Sequence, residues 1–277
     1  MNKFLLVLAM LMSVQAVFAD ASLTKQDSAA ELIEKSGVKL QIEKMPEMLN
    51  QQIAMMERQG GPMPSGMRQR FRDAALKSHD PKLLLPRVTA GVAEAIPPED
   101  RHEILKFLDS PLGRKVIAAE NAMASNEAMD KLEKEGPALM EKLMKDNARL
   151  ALIQSLDKAT RATDMATDLN IATALATEYG LISQSNMPQK PSFEQLRSAY
   201  EQRRLPIRMQ MAQVVLTGMA MSYRDLSNEE LAGYLAFANS PVGKKYFLGI
   251  SRVINRVLVD AAADLGKALS DADKGAI

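Results

Sequence analysis

The feature that most restricts this chain is that part of it occurs twice. Residues 96–139 align with residues 226–269 at a constant offset of 130 and without a gap. Identities fall at Glu99/Glu229, Leu105/Leu235, Phe107/Phe237, Ser110/Ser240, Pro111/Pro241, Gly113/Gly243, Lys115/Lys245, Asp130/Asp260, Gly136/Gly266, Ala138/Ala268 and Leu139/Leu269. That is 11 of 44 positions, where ordinary residue frequencies give about three. Asp100/Glu230, Asp109/Asn239, Leu112/Val242 and Arg114/Lys244 are conservative pairs between them. Two alanine-rich helices do not by coincidence produce Ser-Pro-x-Gly-x-Lys twice in register. The reading is two copies of one unit of about 130 residues, within the usual domain range. The expected divisions are a leader over 1–19, a first repeat over 20–150 and a second over 151–277.

The repeated motif reads as a corner between helices. Glu99 to Leu108 and Asn228 to Ala238 have amphipathic spacing, with Ile104, Leu105 and Leu108, or Leu231, Tyr234, Leu235 and Ala238, facing inward. Pro111 and Pro241 lack the amide hydrogen that continues a helix, but suit the first position of a new one. Ser110 and Ser240 then sit where an N-cap hydroxyl accepts from the free amides. Gly113 and Gly243 leave room for the preceding Phe107 or Phe237 ring, or for a neighbouring helix. Lys115 and Lys245 fall near the positive end of the new helix, which disfavours a cation. Each is therefore expected to meet a carboxylate, with Glu99 and Glu229 as candidates in their own repeats.

Glu229 to Lys245, with Phe237, Ser240-Pro241-x-Gly243 and the basic pair Lys244-Lys245, resembles the signature of exported bacterial proteins classed as domain of unknown function 2059. Asp100 to Lys115 is a second, weaker resemblance, with Phe107-Leu108-Asp109-Ser110-Pro111-Leu112-Gly113-Arg114-Lys115 intact. The resemblance implies a small all-helical periplasmic domain, here matched in two tandem copies, and brings no assigned activity. Ala238 beside Phe237, and the duplication itself, depart from the family pattern.

Composition supports an all-α class. Aromatic residues are 4% of the chain and tryptophan is absent, while the body is rich in unbranched residues that lose little rotamer freedom on a helix. Punctuation predicts helices over 26–35, 40–59 and 68–78, and another opened by Asp80-Pro81 and ended by Pro97-Pro98. In the second half a helix over 162–179 is expected to stop at Gly180, with Pro206 starting or kinking the next. The last helix is expected to bury Tyr246, Ile250, Val253, Val257, Ala261 and Leu265. Arg252, Arg256, Asp260 and Asp264 form an i,i+4 charged stripe on another side.

Met1 to Ala19 reads as a secretory signal, with Lys3 ahead of an apolar run and Val17-Phe18-Ala19 as the cleavage pattern; Ala21 is an alternative cut. The run is too short to span a bilayer, and a chain without cysteine cannot be a lipoprotein. The expected location is periplasmic or secreted. Beyond the leader 34 bases balance 34 acids, which argues against a nucleic-acid partner.

Chemistry is conspicuous by what is missing. There is no thiol, and the two histidines, His79 and His102, are read as solvated. No Walker, Rossmann, nucleophile-elbow or zincin motif is present. Glu99, Asp100, Glu103, Glu229 and Glu230 occupy first helical turns, where acids offset the dipole. Beyond the leader the chain keeps 16 methionines, in pairs such as Met45/Met48, Met55/Met56, Met63/Met67, Met209/Met211 and Met219/Met221. Thioethers suit Cu(I), but a flexible methionine core is the simpler reading. The expectation is a non-enzymatic protein without cofactor or metal. It would bind protein, either an envelope partner or a second copy as a homodimer, in an interaction or chaperone-like role. A small-ligand or Cu(I) carrier and a hydrolase with an unrecognised carboxylate site are the alternatives.

Overall fold

The two proline corners direct the chain back and forth between two hydrophobic cores. The computed structural model describes residues 28–58, 65–123, 125–183 and 189–271, and among them the regular structure is helical, with no strand. The helices are α1 (28–35), α2 (Val38–Arg58), α3 (Ser65–Ser78), α4 (Pro81–Ala95), α5 (Pro98–Leu108), α6 (Pro111–Ala122) and α7 (Asn126–Lys145). They continue as α8 (Asn147–Thr160), α9 (Ala162–Ser183), α10 (Phe193–Gln202), α11 (Arg204–Ser222), α12 (Asn228–Asn239) and α13 (Pro241–Asp271). The leader and its cleavage positions lie outside the described residues.

Local chemistry accounts for most boundaries. The Asp80 carboxylate accepts from the Lys82 amide at 2.9 Å with Pro81 at the first helical position. Ser227 and Ser192 open α12 and α10 with reciprocal capping boxes to Glu230 and Gln195. Pro206 lies in the first turn of α11 and so belongs to a helix start. Gly180, in contrast, does not end α9, which runs on to Ser183. A single glycine costs a helix only about 1 kcal/mol; without a following proline or cap it is not a stop.

One core gathers Leu32, Ile42, Leu84, Val92 and Ile104 from α1, α2, α4 and α5, together with Tyr246, Ile250, Val253, Val257 and Ala261 of α13. A second gathers Val116 and Leu143 from α6 and α7, with Ile153, Leu156, Met219, Leu231 and Tyr234 from α8, α11 and α12. Each corner thus has its first helix in one core and its second in the other. Neither core is built from one half of the sequence, and the expected division at residue 150 falls inside α8. The helical break beside it is at Asp146, which both closes α7 and caps α8 through a 3.0 Å bond from the Arg149 amide.

The six α13 positions expected inward are all buried. The charged stripe on its outer side is exposed, but its ion-pair partners lie across on α4: Arg256 with Glu94 at 3.9 Å and Asp264 with Arg87 at 3.5 Å. One gapless stretch of the alignment is not one structure. In the second half it is a continuous 31-residue helix. In the first half α6 closes at Ala122 and the Ser125 hydroxyl caps α7, accepting from the Ala128 amide at 3.2 Å. Ser125 aligns with Asn255, whose side chain stays on α13 and donates to Asp168 at 3.0 Å. Serine and asparagine are comparable N-caps, so the residue pair marks where the two halves diverge without deciding it.

Candidate functional site

The two corners are built alike to within a few tenths of an ångström. Ser110 has φ −67° and ψ 158°, and Ser240 φ −63° and ψ 158°. The Ser110 hydroxyl donates to the Phe107 carbonyl at 2.6 Å and accepts from the Gly113 amide at 3.0 Å. Ser240 does the same with Phe237 at 2.7 Å and Gly243 at 3.0 Å. Pro111 and Pro241 occupy the first helical positions and are exposed. A β-carbon on Gly113 would lie 2.0 Å from the Phe107 carbonyl oxygen, and one on Gly243 2.0 Å from that of Phe237. The glycines therefore admit the phenylalanine backbone, where the sequence had suggested the ring or another helix.

The rings themselves meet each other. Phe107 and Phe237, aligned positions of the two segments, stack with centroids 3.7 Å apart and planes 3° from parallel. Both touch residues of both cores, as does Phe247. Such a pair contributes about 0.5–1.5 kcal/mol beyond its burial. The lysines also cross over. Lys115 Nζ lies 2.7 Å from both carboxylate oxygens of Glu230, and Lys245 Nζ lies 3.0 and 2.7 Å from those of Asp100. Asp100 and Glu230 are themselves an aligned pair, so the two bridges are reciprocal. The expected partners Glu99 and Glu229 are not the ones used. Glu99 is exposed, and Glu229 accepts from the Ser227 hydroxyl at 2.8 Å, which holds its pKa below the usual range. Lys115 holds the Glu230 carboxyl low in the same way.

Likeness continues where the sequences differ. In the first half the fully buried Arg101 donates to the Ala93 carbonyl at 3.1 Å and to the Ile96 carbonyl at 2.5 Å, and its Nε donates to Ser28 at 2.9 Å. Position 231, aligned with 101, is leucine. Yet the carbonyls of Tyr223 and Leu226, aligned with Ala93 and Ile96, also receive a guanidinium: Arg149, from α8, reaches them at 2.5 and 2.9 Å. Two carbonyls at the end of a helix need donors; Arg101 serves both from Nη1, and Arg149 divides them between Nη1 and Nη2. The helix-to-helix turn ahead of each half corresponds too, at an offset of 124. Gly37 after α1 has φ +77°, and Arg161 after α8 has φ +61°.

Under the aromatic stack lies a carboxylate that sequence reasoning missed. Glu120 accepts from the Tyr223 hydroxyl at 2.6 Å and from Tyr234 at 3.1 Å. Burial raises its pKa above the ordinary value, against the opposing effect of the two hydroxyls, and burial likewise pushes the phenols of Tyr223, Tyr234 and Tyr246 upward. Glu120 aligns with Ile250, so the match gave no hint of it; the crowding of tyrosines between 223 and 246 was the available signal.

The remaining sequence candidates disperse. His102 is exposed on α5, whereas His79 is half-buried, its Nδ1 2.9 Å from the Ser78 hydroxyl and 3.0 Å from the Ala75 carbonyl oxygen, and burial lowers its pKa. Met219 and Met221 are both buried, and the Met221 sulfur accepts from Arg224 at 3.4 Å. Met63, and the side chains of Met55, Met56 and Met67, lie outside those described. Among the described residues no three histidine, aspartate or glutamate side chains converge on a metal-sized site, and no helix is long and apolar enough to cross a membrane. No family model, curated protein or solved structure matches the chain.

Proposed function

We propose that this chain is an exported, tandemly duplicated helical module of the cell envelope that acts without catalysis, by holding apolar segments of other polypeptides in a chaperone-like manner. The leader-like Met1 to Ala19 and the resemblance of both corner motifs to domain of unknown function 2059 support the location and the duplication. The observation that carries the role is an apolar trough of ≈ 290 Å³ between α9, α10 and α13. Its floor is Ile171, Leu175 and Ala262, and its lips are Phe193 and Val259, 41% and 42% exposed. Leu169 beside it, and Leu205, Met209 and Val214 along α11, are also exposed. Adaptable apolar side chains at an open surface, rimmed by Arg197, Glu201 and Arg204, are what a polypeptide-binding face requires.

The experiment is suppression of aggregation. A reduced, unfolding client protein is followed by light scattering with and without the chain, and with Phe193→Ser and Val259→Ser variants. The proposal expects slower aggregation with the chain and loss of most of that effect in the variants. Equal aggregation in the presence and absence of the chain would overturn it.

A further inference from the structure

The second corner differs from the first in its charge. In the first half the turn after α1 and the corner bring together Glu34, Lys35, Gly37, Asp109 and Arg114, which sum to zero. There the Lys35 ammonium sits 2.7 Å from the Asp109 carboxylate, Arg114 donates to the Asp109 carbonyl, and Glu34 pairs with Lys39 at 3.5 Å. The corresponding residues of the second half are Lys158, Ala159, Arg161, Asn239 and Lys244, which sum to +3. They border an open cleft of ≈ 540 Å³ that also carries the Ser155 hydroxyl.

The nearby acids are held chiefly by other groups. Asp157 accepts from the amide and hydroxyl of Thr163, both at 2.8 Å. Asp164 lies 3.0 Å from Arg208 and more loosely, at 3.8 Å, from Arg161. Neither borders the cleft. Two of the three cations are also placed at local cost. Arg161 stands at φ +61°, a conformation about 1–2 kcal/mol unfavourable for a residue with a β-carbon, where the first half has glycine. Lys244 is in the first turn of α13, against the helix dipole.

We propose that this cleft binds a phosphate-type oxyanion, held by Lys158, Arg161 and Lys244 with Asn239 and Ser155 as neutral donors. The first corner, closed by its own aspartate, does not. Guanidinium and ammonium groups around a dianion form charge-assisted hydrogen bonds, and Asn239 in place of an aspartate removes the internal competitor. Phosphate reaches such a site free or on a lipid headgroup, and the two sources are separable by experiment.

The chain is titrated calorimetrically with inorganic pyrophosphate at low salt, and in parallel floated with vesicles of phosphatidylglycerol or of phosphatidylcholine. Three variants accompany it. Asn239→Asp and Lys158→Glu restore charges that the first corner carries at the same places and so are compatible with the fold, and Asp109→Asn alters the first corner. Saturable pyrophosphate binding identifies a free anion, and flotation confined to phosphatidylglycerol identifies a lipid phosphate. In either case the site is upheld if Asn239→Asp and Lys158→Glu each weaken binding about tenfold or more while Asp109→Asn leaves it intact. Absence of saturable binding to both probes, or binding unchanged in Asn239→Asp and Lys158→Glu, overturns the proposal.

Discussion

Replacing Gly113 by alanine puts a methyl carbon 2.0 Å from the Phe107 carbonyl oxygen and 2.8 Å from the Leu108 α-carbon. Both obstacles are backbone, so no side chain can swing aside and the corner must open. Overpacking of this kind costs about 1–3 kcal/mol. Opening also stretches the Ser110 cap, worth about 1 kcal/mol, and alanine returns about 1 kcal/mol of helix propensity. The net expectation is a loss of about 1–3 kcal/mol, or a fall of about 2–12 °C in melting temperature for a chain of this size. Gly243→Ala meets the same 2.0 Å contact with Phe237 and should fall by a similar amount. Gly218 on α11 has nothing within 4 Å of its would-be methyl, so Gly218→Ala should instead raise the melting temperature by about 2–4 °C. Thermal unfolding followed by far-ultraviolet circular dichroism reads all three. A Gly113→Ala protein that melts within about 1 °C of the parent would refute the reasoning that the corner depends on backbone contact.

Arg101→Met keeps the length of the side chain but leaves the Ala93 and Ile96 carbonyls without this donor, and should cost about 1–3 kcal/mol for each carbonyl left unsatisfied, read by urea unfolding. Arg101→Lys should recover only part, because one ammonium cannot stand at both Nη1, which serves the carbonyls, and Nε, which serves Ser28. Glu120, with its folded pKa raised by burial, favours the folded state most below its unfolded value, and that contribution disappears as pH rises through the folded pKa. Glu120→Gln should therefore flatten the fall in stability from acid toward neutral pH and stabilise the protein near pH 7, as measured by urea midpoints across pH; an unchanged pH profile would contradict this.

The corners were legible because their parts act locally. Ser110, Pro111 and Gly113 interact with residues three to six positions away, and such chemistry is written in order along the chain. What lay between the halves was not legible. The local logic that a first-turn lysine needs a carboxylate was sound for Lys115 and Lys245, but periodicity says nothing of which copy supplies the acid. Glu99 and Glu230 satisfied it equally on paper, and only the crossing of helices between cores selects Glu230. The same gap hid Arg149, which performs at Tyr223 and Leu226 what Arg101 performs at Ala93 and Ile96 from an unrelated position. Function can be kept in space while the residue that serves it moves along the chain, and alignment then sees only a leucine at 231. Ser125 and Gly180 show the complementary error. A gapless match does not guarantee a shared structure, and a lone glycine cannot outweigh a helix that has other reasons to continue.

The two corners clasp each other, each lending its lysine to the other's acid. Zero-length carbodiimide crosslinking of the monomer, followed by peptide mass spectrometry, reads this directly, because it joins only ammonium and carboxylate groups already in contact. The structure predicts Lys115 linked to Glu230 and Lys245 linked to Asp100, whose groups lie 2.7 Å apart. Links from Lys115 to Glu99 and from Lys245 to Glu229, with neither crossed link present, would contradict it.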